Sequence, residues 1–252
     1  MNKTVLITGA TSGFGKAMAE KFAGAKYNCI ITGRRADKLA EIANKLTTEY
    51  GVDILPLVFD VQDKSTVFNA IETLPEAWKT IDVLINNAGL ALGKDSFEDA
   101  SLDDWETMID TNIKGLLYVS KAVVPLMIAR QSGHIINLGS TAGKDVYKEG
   151  NVYCATKFAV DAISKSMRID LLPNKIKVTA IHPGAADTEF SNVRFKGDGS
   201  KAVAVYAGYS PLQAIDVADI ALYCASLPPH VCINDLVVTP TAQANATVFH
   251  KE

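Results

Sequence analysis

The chain has 252 residues, enough to bury a sizeable core in one large domain or two small ones, and its 48% hydrophobic and 21% charged residues are ordinary for a soluble globular protein. A net charge of -3, with both signs mixed along the chain, gives no electrostatic reason to expect a nucleic acid or an anionic membrane as partner. The apolar run at residues 5–7 is too short for a signal peptide, no segment suggests a membrane span, and we expect a cytoplasmic protein.

The cysteines and histidines do not predict metal or disulfide chemistry. The four cysteines form no Cys-x-x-Cys pair and lie far apart: Cys29, Cys154, Cys224 and Cys232. The four histidines also lack metal-ligand spacing: His134, His182, His230 and His250. We therefore expect reduced thiols, structural histidines and no metal site.

The first predicted elements form a phosphate-binding layout. Residues 4–7 are an apolar run, residues 8–15 are rich in glycine, and residues 16–22 have helical periodicity, which predicts a buried strand, a turn and a helix. Glycines let the backbone approach a pyrophosphate, and a helix N-terminus offers free N–H groups and a favourable dipole. A tight turn without a ligand is the alternative.

The second strand, predicted at residues 28–32, is followed by two arginines that indicate which dinucleotide binds. About 20 residues past the glycine-rich turn, an NAD enzyme would place an acidic residue for the ribose 2′-hydroxyl. Arg34 and Arg35 stand there instead, and two guanidiniums favour the 2′-phosphate of NADP. The alternative is a solvated basic start to a helix at residues 36–50.

Apolar runs and helical patterns continue to alternate. Further strands are predicted at residues 54–59, 81–85, 134–138 and 177–181, and further helices at residues 64–74, 102–130 and 152–171. The pattern at 102–130 is broken near Gly115 and contains Asn112, a poor helix former. The alternation predicts an α/β doubly wound Rossmann fold, with a parallel sheet of about seven strands, helices on both faces and ligands at the carboxyl ends of the strands.

Tyr153 and Lys157 lie four residues apart in a predicted helix and are therefore neighbours on one face. A free tyrosine has a pKa near ~10, and lowering this pKa to about 7 requires about 4 kcal/mol. One positive charge at roughly 5 Å, with an effective dielectric of about 20, favours the phenolate by about 3 kcal/mol. The pair could therefore act as an acid/base device, although such pairs also occur by chance on exposed helices.

Together the motifs resemble the short-chain dehydrogenase/reductase family over essentially the whole chain. They occur in family order: Thr8-Gly9-x-x-x-Gly13-x-Gly15, Asn86-Asn87-Ala88-Gly89, Asn112, Ser140, Tyr153-x-x-x-Lys157 and Pro183-Gly184 with Thr188. The resemblance implies that Ser140 and Tyr153 hold a substrate carbonyl and that Tyr153 passes the proton. It also implies that Lys157 holds the nicotinamide ribose and lowers the tyrosine pKa, and that Asn112 lies on a proton relay.

By the same resemblance, one NADP-binding domain spans residues 1–252, has its substrate loop at about 184–210, and forms a homotetramer. The residues expected to contact NADP(H) are Gly9, Ala10, Thr11, Ser12, Gly13, Phe14, Gly15, Arg34, Arg35, Asp60, Val61, Asn87, Ala88, Gly89, Tyr153, Lys157, Pro183, Gly184 and Thr188.

A narrower resemblance concerns the substrate. Residues 87–93, 104–112 and 189–198 are similar to the NADP-dependent 3-hydroxy acid dehydrogenase branch, which has sulfoacetaldehyde reductases as relatives. Both substrate sets are small and anionic, so Arg194 is the candidate for pairing with a carboxylate or sulfonate, beside Ser140 and Tyr153. A plain surface arginine is the alternative.

Two segments leave the identity of the substrate undecided. Residues 144–149 replace the small, aromatic and proline residues expected in that branch, and their lysines either favour a sulfonate or are solvated beside Asp145 and Glu149. The tail at residues 243–249 is expected to close over the pocket or over a neighbouring subunit. The rival functions are a non-catalytic dinucleotide-binding sensor, which would need no Ser140, Tyr153 or Lys157, and a reductase of hydrophobic ketones.

Overall fold

The computed structural model describes residues 2–252 and is built around one seven-stranded sheet. The strands in chain order are β1 (Thr4–Ile7), β2 (Asn28–Gly33), β3 (Ile54–Val58), β4 (Val83–Asn86), β5 (Gly133–Leu138), β6 (Ile176–Pro183), β7 (Ala186–Asp187), β8 (Leu212–Gln213) and β9 (Asp235–Val238). The main sheet has the order β3-β2-β1-β4-β5-β6-β9 with every neighbouring pair parallel, and β7 pairs with β8 separately. The predicted doubly wound fold is confirmed.

Helices connect successive strands and cover both faces of the sheet. They are α1 (Gly13–Gly24), α2 (Ala36–Tyr50), α3 (Lys64–Glu72), α4 (Leu102–Ile109), α5 (Leu116–Arg130), α6 (Asn151–Asp170), α7 (Glu189–Arg194), α8 (Gly199–Ala204) and α9 (Ala214–Ser226). Most predicted boundaries lie within a few residues of these. Neither α9 nor the edge strand β9 was predicted from sequence.

The core consists of two apolar layers, one on each side of the sheet. In β1, Val5 and Ile7 face one layer, which includes Phe22 of α1, whereas Leu6 faces the other layer, which includes Val119 of α5. All three β1 residues are fully buried, because alternate side chains of a strand point to opposite faces and both faces are covered by helices. This double burial explains why the strands of this sequence are continuous apolar runs.

The strand order reverses between β1 and β4, which places the carboxyl ends of these strands at a topological switch point. The chain winds from β1 outward to β3, then returns to add β4 on the other side of β1. In doubly wound folds, ligands bind in the crevice that this reversal opens. The glycine-rich turn after β1 and Asn87 after β4 therefore meet, and Asn87 Nδ2 donates a 2.8 Å hydrogen bond to the carbonyl oxygen of Thr8.

The predicted helix at residues 102–130 is not broken at Gly115. A π-helical segment, Asp110–Gly115, joins α4 to α5, and it contains Asn112. No membrane span was expected from sequence. Leu102–Arg130 is nevertheless long and apolar enough to cross a membrane by length and composition alone, and 39% of its most apolar window is buried in the protein. Val119, Val123 and Met127 of α5 pack into the core beneath the sheet.

Candidate active site

The glycine-rich turn leaves the start of α1 open to a ligand. Gly9 and Gly13 have φ angles of 66° and 50°, in the left-handed region that favours glycine. Gly15 permits a close approach, because an added Cβ would lie 2.3 Å from the carbonyl oxygen of Gly9. The N-cap residue Ser12 makes no capping bond with its side chain, and the first turn of α1 has no acidic residue. Free N–H groups at a helix N-terminus suit a phosphate.

A cleft of about 350 Å³ opens from this turn along the carboxyl edge of the sheet. It is lined by the turn, by the ends of β2 to β5, by α6 and by the segment after β7. Fifteen lining residues were predicted from sequence: Gly9, Thr11, Ser12, Gly13, Phe14, Arg34, Arg35, Asp60, Val61, Asn87, Ala88, Gly89, Tyr153, Lys157 and Thr188. Others were missed, among them Gln62, Thr111 and Phe190. Thr111 and Phe190 lie in segments that carry the narrower resemblance, but no spacing along the chain assigns them or Gln62 to the cleft, and only the fold brings them there.

Four predicted cofactor residues contribute no surface to the cleft. Ala10 and Gly15 are buried behind the glycine-rich turn, and Ala10 donates a 2.9 Å backbone hydrogen bond to Thr32. Pro183 is buried at the end of β6. Gly184 faces the tail instead, since an added Cβ there would lie 2.2 Å from Oε1 of Gln243. These residues shape the backbone around the cleft.

Arg34 and Arg35 lie at the cleft beside the end of β2. The guanidinium of Arg34 is 3.4 Å from the Asp60 carboxylate, and its side chain is 65% exposed, so it is available to a ligand. Nη2 of Arg35 donates a 2.8 Å hydrogen bond to Thr11 in the glycine-rich turn, and Nη1 lies 3.4 Å from Glu189. The two guanidiniums thus give the cleft a cationic end suited to a phosphate.

Tyr153 and Lys157 project from α6 into the other part of the cleft. Both are buried, at 8% and 6% exposure, and Nζ of Lys157 donates a 2.9 Å hydrogen bond to the carbonyl oxygen of Leu138. The same Nζ lies 6.0 Å from the centre of the Tyr153 ring. Ser140, one residue beyond Gly139, accepts a 3.1 Å hydrogen bond from the amide of Ala142. Tyr153 and Lys157 therefore line this part of the cleft, and the Ser140 hydroxyl lies close enough to the Tyr153 phenol to lower its pKa.

The electrostatics of Tyr153 differ from the expectation that its lysine neighbour dominates. Burial raises the pKa of Tyr153 above its usual value, with a further increase from Tyr147, while the Ser140 hydroxyl and the Arg194 guanidinium lower it. Burial lowers the pKa of Lys157 to about 8. The phenol is therefore protonated at neutral pH, because removing a group from water disfavours its charged form.

Asn112 is buried in the π-helical segment and is fully engaged. Its Oδ1 accepts a 2.8 Å hydrogen bond from the amide of Leu90, and its Nδ2 donates to the carbonyl oxygen of Leu90 and to Thr156. An added Cβ at Gly89 would lie 3.2 Å from Asn112 Oδ1 and 3.5 Å from Lys157 Nζ. The side chain thus fixes the loop after β4 near the lysine, which places Asn112 behind the reacting groups.

Arg194 ends α7 and reaches over the catalytic tyrosine candidate. Its Cζ lies 5.7 Å from the centre of the Tyr153 ring and 5.5 Å from that of Tyr147. Nη1 donates a 2.9 Å hydrogen bond to the Tyr147 hydroxyl, and Nε donates a 3.2 Å hydrogen bond to the carbonyl oxygen of Gly93. Both partners are neutral, so the charge of Arg194 is not cancelled by them. Residues 144–149 were named from sequence only for their lysines, and Tyr147 among them was missed.

The lysines of that loop do not face the cleft. Lys144 forms ion pairs with Asp161 and Asp235, at 3.0 and 2.7 Å. The side chain of Lys148 is 90% exposed, with Glu149 3.9 Å away. The structure therefore gives no support to a sulfonate bound by these lysines. Lys148 lies beside Glu149 as expected, whereas Lys144 pairs with Asp161 and Asp235 instead of Asp145.

The C-terminal tail packs on the substrate segment of its own chain. Oε1 of Gln243 accepts a 2.8 Å hydrogen bond from the amide of Ala185. The ring of Phe249 lies 5.3 Å from that of Tyr209, and Glu252 donates a backbone hydrogen bond to Gly208. The tail therefore supports residues 184–210 from outside.

The sequence matches a family model described as short chain dehydrogenase over residues 3–198. The chain belongs to the short chain dehydrogenase family. This finding confirms the family predicted from the motifs, and with it an enzyme of the oxidoreductase class.

Relatives within the family are similar over nearly their whole length. Sulfoacetaldehyde reductase 2 of Chromohalobacter salexigens is 47% identical over 245 residues, which cover 97% of this chain and 96% of that protein. NADP-dependent 3-hydroxy acid dehydrogenase YdfG of Shigella flexneri is 46% identical over 243 residues, covering 96% of each chain. A closed form of serine dehydrogenase complexed with NADP+ superposes with a TM-score of 0.92 at 45% identity, covering 99% of this chain and 100% of that one.

Proposed function

We propose that this protein is an NADP(H)-dependent oxidoreductase that interconverts a small anionic aldehyde or ketone and its hydroxy form. The substrates that fit are of the 3-hydroxy acid and malonic semialdehyde type, or the sulfonate analogue, with sulfoacetaldehyde reduced to isethionate. In this proposal residues 1–252 act as one domain with a substrate loop at about 184–210, and the enzyme works in the cytoplasm as a homotetramer.

One observation carries the proposal. The guanidinium of Arg194 lies 5.7 Å from the ring of Tyr153, at the end of the cleft that Lys157 also lines. A substrate whose carbonyl oxygen reaches the tyrosine hydroxyl would then have its charged group, one or two carbons away, near the guanidinium. Arg is suited to this task, because its planar fork binds a carboxylate or a sulfonate through paired hydrogen bonds.

The cleft fits NADP(H), the cofactor that would supply or accept the hydride. The open N-terminus of α1 and its glycine turn would hold the pyrophosphate, and Arg34 and Arg35 would hold the 2′-phosphate. The related 3-hydroxy acid dehydrogenase is named as NADP-dependent, and the solved structure of the related serine dehydrogenase is described as complexed with NADP+. Both names support NADP(H) over NAD(H).

Tyr153 and the side chains near it have separate roles in carbonyl reduction. The Tyr153 hydroxyl, protonated at neutral pH because of its burial, donates its proton to the carbonyl oxygen as negative charge develops there. Ser140 donates a second hydrogen bond to the same oxygen and stabilises the charge. Lys157 would hold the nicotinamide ribose when the cofactor is bound, and its ammonium places a positive charge near the phenol, while Asn112 fixes the loop beside it. Oxidation of the alcohol uses the same groups in reverse.

The first experiment compares initial rates of NADPH and NADH oxidation with malonic semialdehyde and with sulfoacetaldehyde. We expect turnover with at least one of these aldehydes and a preference for NADPH. A higher kcat/KM for malonic semialdehyde would assign the protein to 3-hydroxy acid chemistry, and a higher value for sulfoacetaldehyde would assign it to sulfonates. Turnover of neither would refute the small-anion proposal, and turnover of a hydrophobic ketone instead would favour the rival function.

A second experiment tests catalysis itself. Tyr153→Phe removes only the hydroxyl, so we expect loss of turnover with NADPH affinity retained, as measured by fluorescence titration. A variant that keeps wild-type turnover would refute the role of Tyr153.

A further inference from the structure

A partly buried ionic cluster lies behind the loop that carries Ser140. Nζ of Lys144 is 3.0 Å from Oδ1 of Asp161 and 2.7 Å from Oδ2 of Asp235. The fully buried imidazole of His182 has its Nε2 3.7 Å from the same Asp161 oxygen and 3.5 Å from the same Asp235 oxygen. The cluster thus joins the loop after β5 to α6, β6 and β9.

The chain supplies its own cation to this cluster. The ligand atoms of Asp161, His182 and Asp235 all lie within 4.8 Å of one another, which is the spacing of a cation site. The ammonium of Lys144 bonds both carboxylates, and Lys165 is 2.6 Å from the second oxygen of Asp161. Burial, together with the nearby Lys144 charge, lowers the pKa of His182. Two carboxylates and two ammonium groups therefore balance while the imidazole stays neutral.

The cluster is directly connected to the backbone on both sides of Ser140. An added Cβ on Gly139 would lie 2.3 Å from Nδ1 of His182, so the imidazole packs directly under the preceding residue. On the other side, the amide of Gly143 donates a 2.8 Å hydrogen bond to the carbonyl oxygen of Ser140, and Lys144 follows in the same tight turn. A shift of Lys144 or His182 would therefore move Ser140.

The same cluster is anchored on the helix that carries the reacting tyrosine. Asp161 follows Lys157 by one helical turn and Tyr153 by two, so all three lie along one side of α6. The turn at Gly143 also packs on this helix, since an added Cβ there would lie 2.5 Å from the carbonyl oxygen of Lys157. The Lys144 ion pair with Asp161 closes the contact between turn and helix.

We propose that Lys144 is a positioning residue, whose ammonium, held between Asp161 and Asp235 beside His182, sets the placement of Ser140 relative to Tyr153. This inference rests on the proposed function, in which both hydroxyls bind one carbonyl oxygen. The ion pairs do not touch the substrate. They hold the loop against α6, and a misplacement of about 1 Å at reacting groups costs on the order of 100-fold in rate.

The test compares two lysines of one loop. Lys144→Met keeps the length of the side chain and removes its charge, and Lys148→Met does the same to a side chain that is 90% exposed. We expect kcat to fall about 10- to 100-fold in Lys144→Met, with the Kd for NADPH unchanged, and no change in Lys148→Met. Lys144→Arg, which can bridge both carboxylates, should recover most of the activity. Equal kcat in the two methionine variants would overturn the proposal.

A pH profile separates positioning by charge from a general loss of packing. In Lys144→Met, His182 faces Asp161 and Asp235 without the competing ammonium, and Lys165 touches only the far oxygen of Asp161. The imidazole can then take a proton and replace the lost cation. We expect the activity of Lys144→Met, relative to wild type, to rise as the pH falls from about 8 to about 6. A ratio that is independent of pH would contradict the proposal.

The wild-type assay keeps the two proposals apart. If wild type reduces malonic semialdehyde or sulfoacetaldehyde, the variants test the role of Lys144 alone. If wild type reduces neither, the proposed function fails, and a crystal structure of Lys144→Met decides the structural part. Displacement of the Ser140 hydroxyl from Tyr153 by about 1 Å would support positioning, and an unmoved hydroxyl would overturn it.

Discussion

Replacing Arg194 by alanine should lower kcat/KM for anionic substrates far more than for neutral ones. The guanidinium keeps its charge while bonding only the neutral Tyr147 hydroxyl and Gly93 carbonyl, so it can accept a substrate anion. A hydrogen bond to a charged group contributes about 1.5–3 kcal/mol, which corresponds to roughly a 10- to 150-fold loss in kcat/KM for malonic semialdehyde.

A second effect of Arg194 must be separated from anion binding. At the 5.7 Å between Cζ and the Tyr153 ring, a unit charge favours the phenolate by at most about 3 kcal/mol at an effective dielectric of about 20, and solvent screening reduces this further. This term changes the tyrosine pKa and therefore affects charged and neutral substrates equally. The ratio of kcat/KM values for malonic semialdehyde and its methyl ester cancels the tyrosine term.

The assay measures this ratio at one pH for wild type, Arg194→Ala and a matched control. The control is Lys196→Ala, which removes a cation two residues away that is 61% exposed and pairs with Asp104 at 2.8 Å. We expect the ratio to fall at least about tenfold in Arg194→Ala and to stay constant in Lys196→Ala. An equal loss for acid and ester would show that Arg194 does not bind the anion.

Three further predictions concern the cofactor cleft and its stability. The pKa of Lys157 is lowered from 10.5 to about 8 on folding, so the unfolded chain binds more protons between these values and stability rises with pH there. Lys157→Met should therefore abolish turnover. In urea at pH 7 its free energy of unfolding should exceed that of wild type by up to about 3 kcal/mol, and this difference should shrink by pH 10. Equal free energies of unfolding at pH 7 would contradict the burial argument. Gly15→Ala places a Cβ 2.3 Å from the carbonyl oxygen of Gly9, so it should lower the free energy of unfolding by about 1–3 kcal/mol and weaken NADPH binding. Gly199→Ala, whose added Cβ has no atom within 4 Å, should leave the free energy of unfolding in urea nearly unchanged. Arg34→Ala should lower kcat/KM for NADPH about tenfold or more and leave that for NADH little changed, and an equal loss with both would refute 2′-phosphate binding.

Local sequence determined the strands, the glycine turn and the family. Continuous apolar runs indicate strands that are buried on both faces. Glycines such as Gly9 and Gly13 indicate turn positions where the backbone has a positive φ. Tyr153 and Lys157 could be paired from sequence because both lie on one helix, where spacing fixes proximity. These features depend on neighbours along the chain.

Contacts between distant segments were decided only by the tertiary structure. The hydrogen bond between Tyr147 and Arg194 joins the loop after β5 to the end of α7, and the partners of Lys144 come from α6 and β9, so no spacing along the chain predicts these contacts. Burial is also a tertiary property. It determines that the pKa of Tyr153 rises although a lysine lies on the same helix, because desolvation of the phenol outweighs the lowering by the Ser140 hydroxyl and the Arg194 guanidinium.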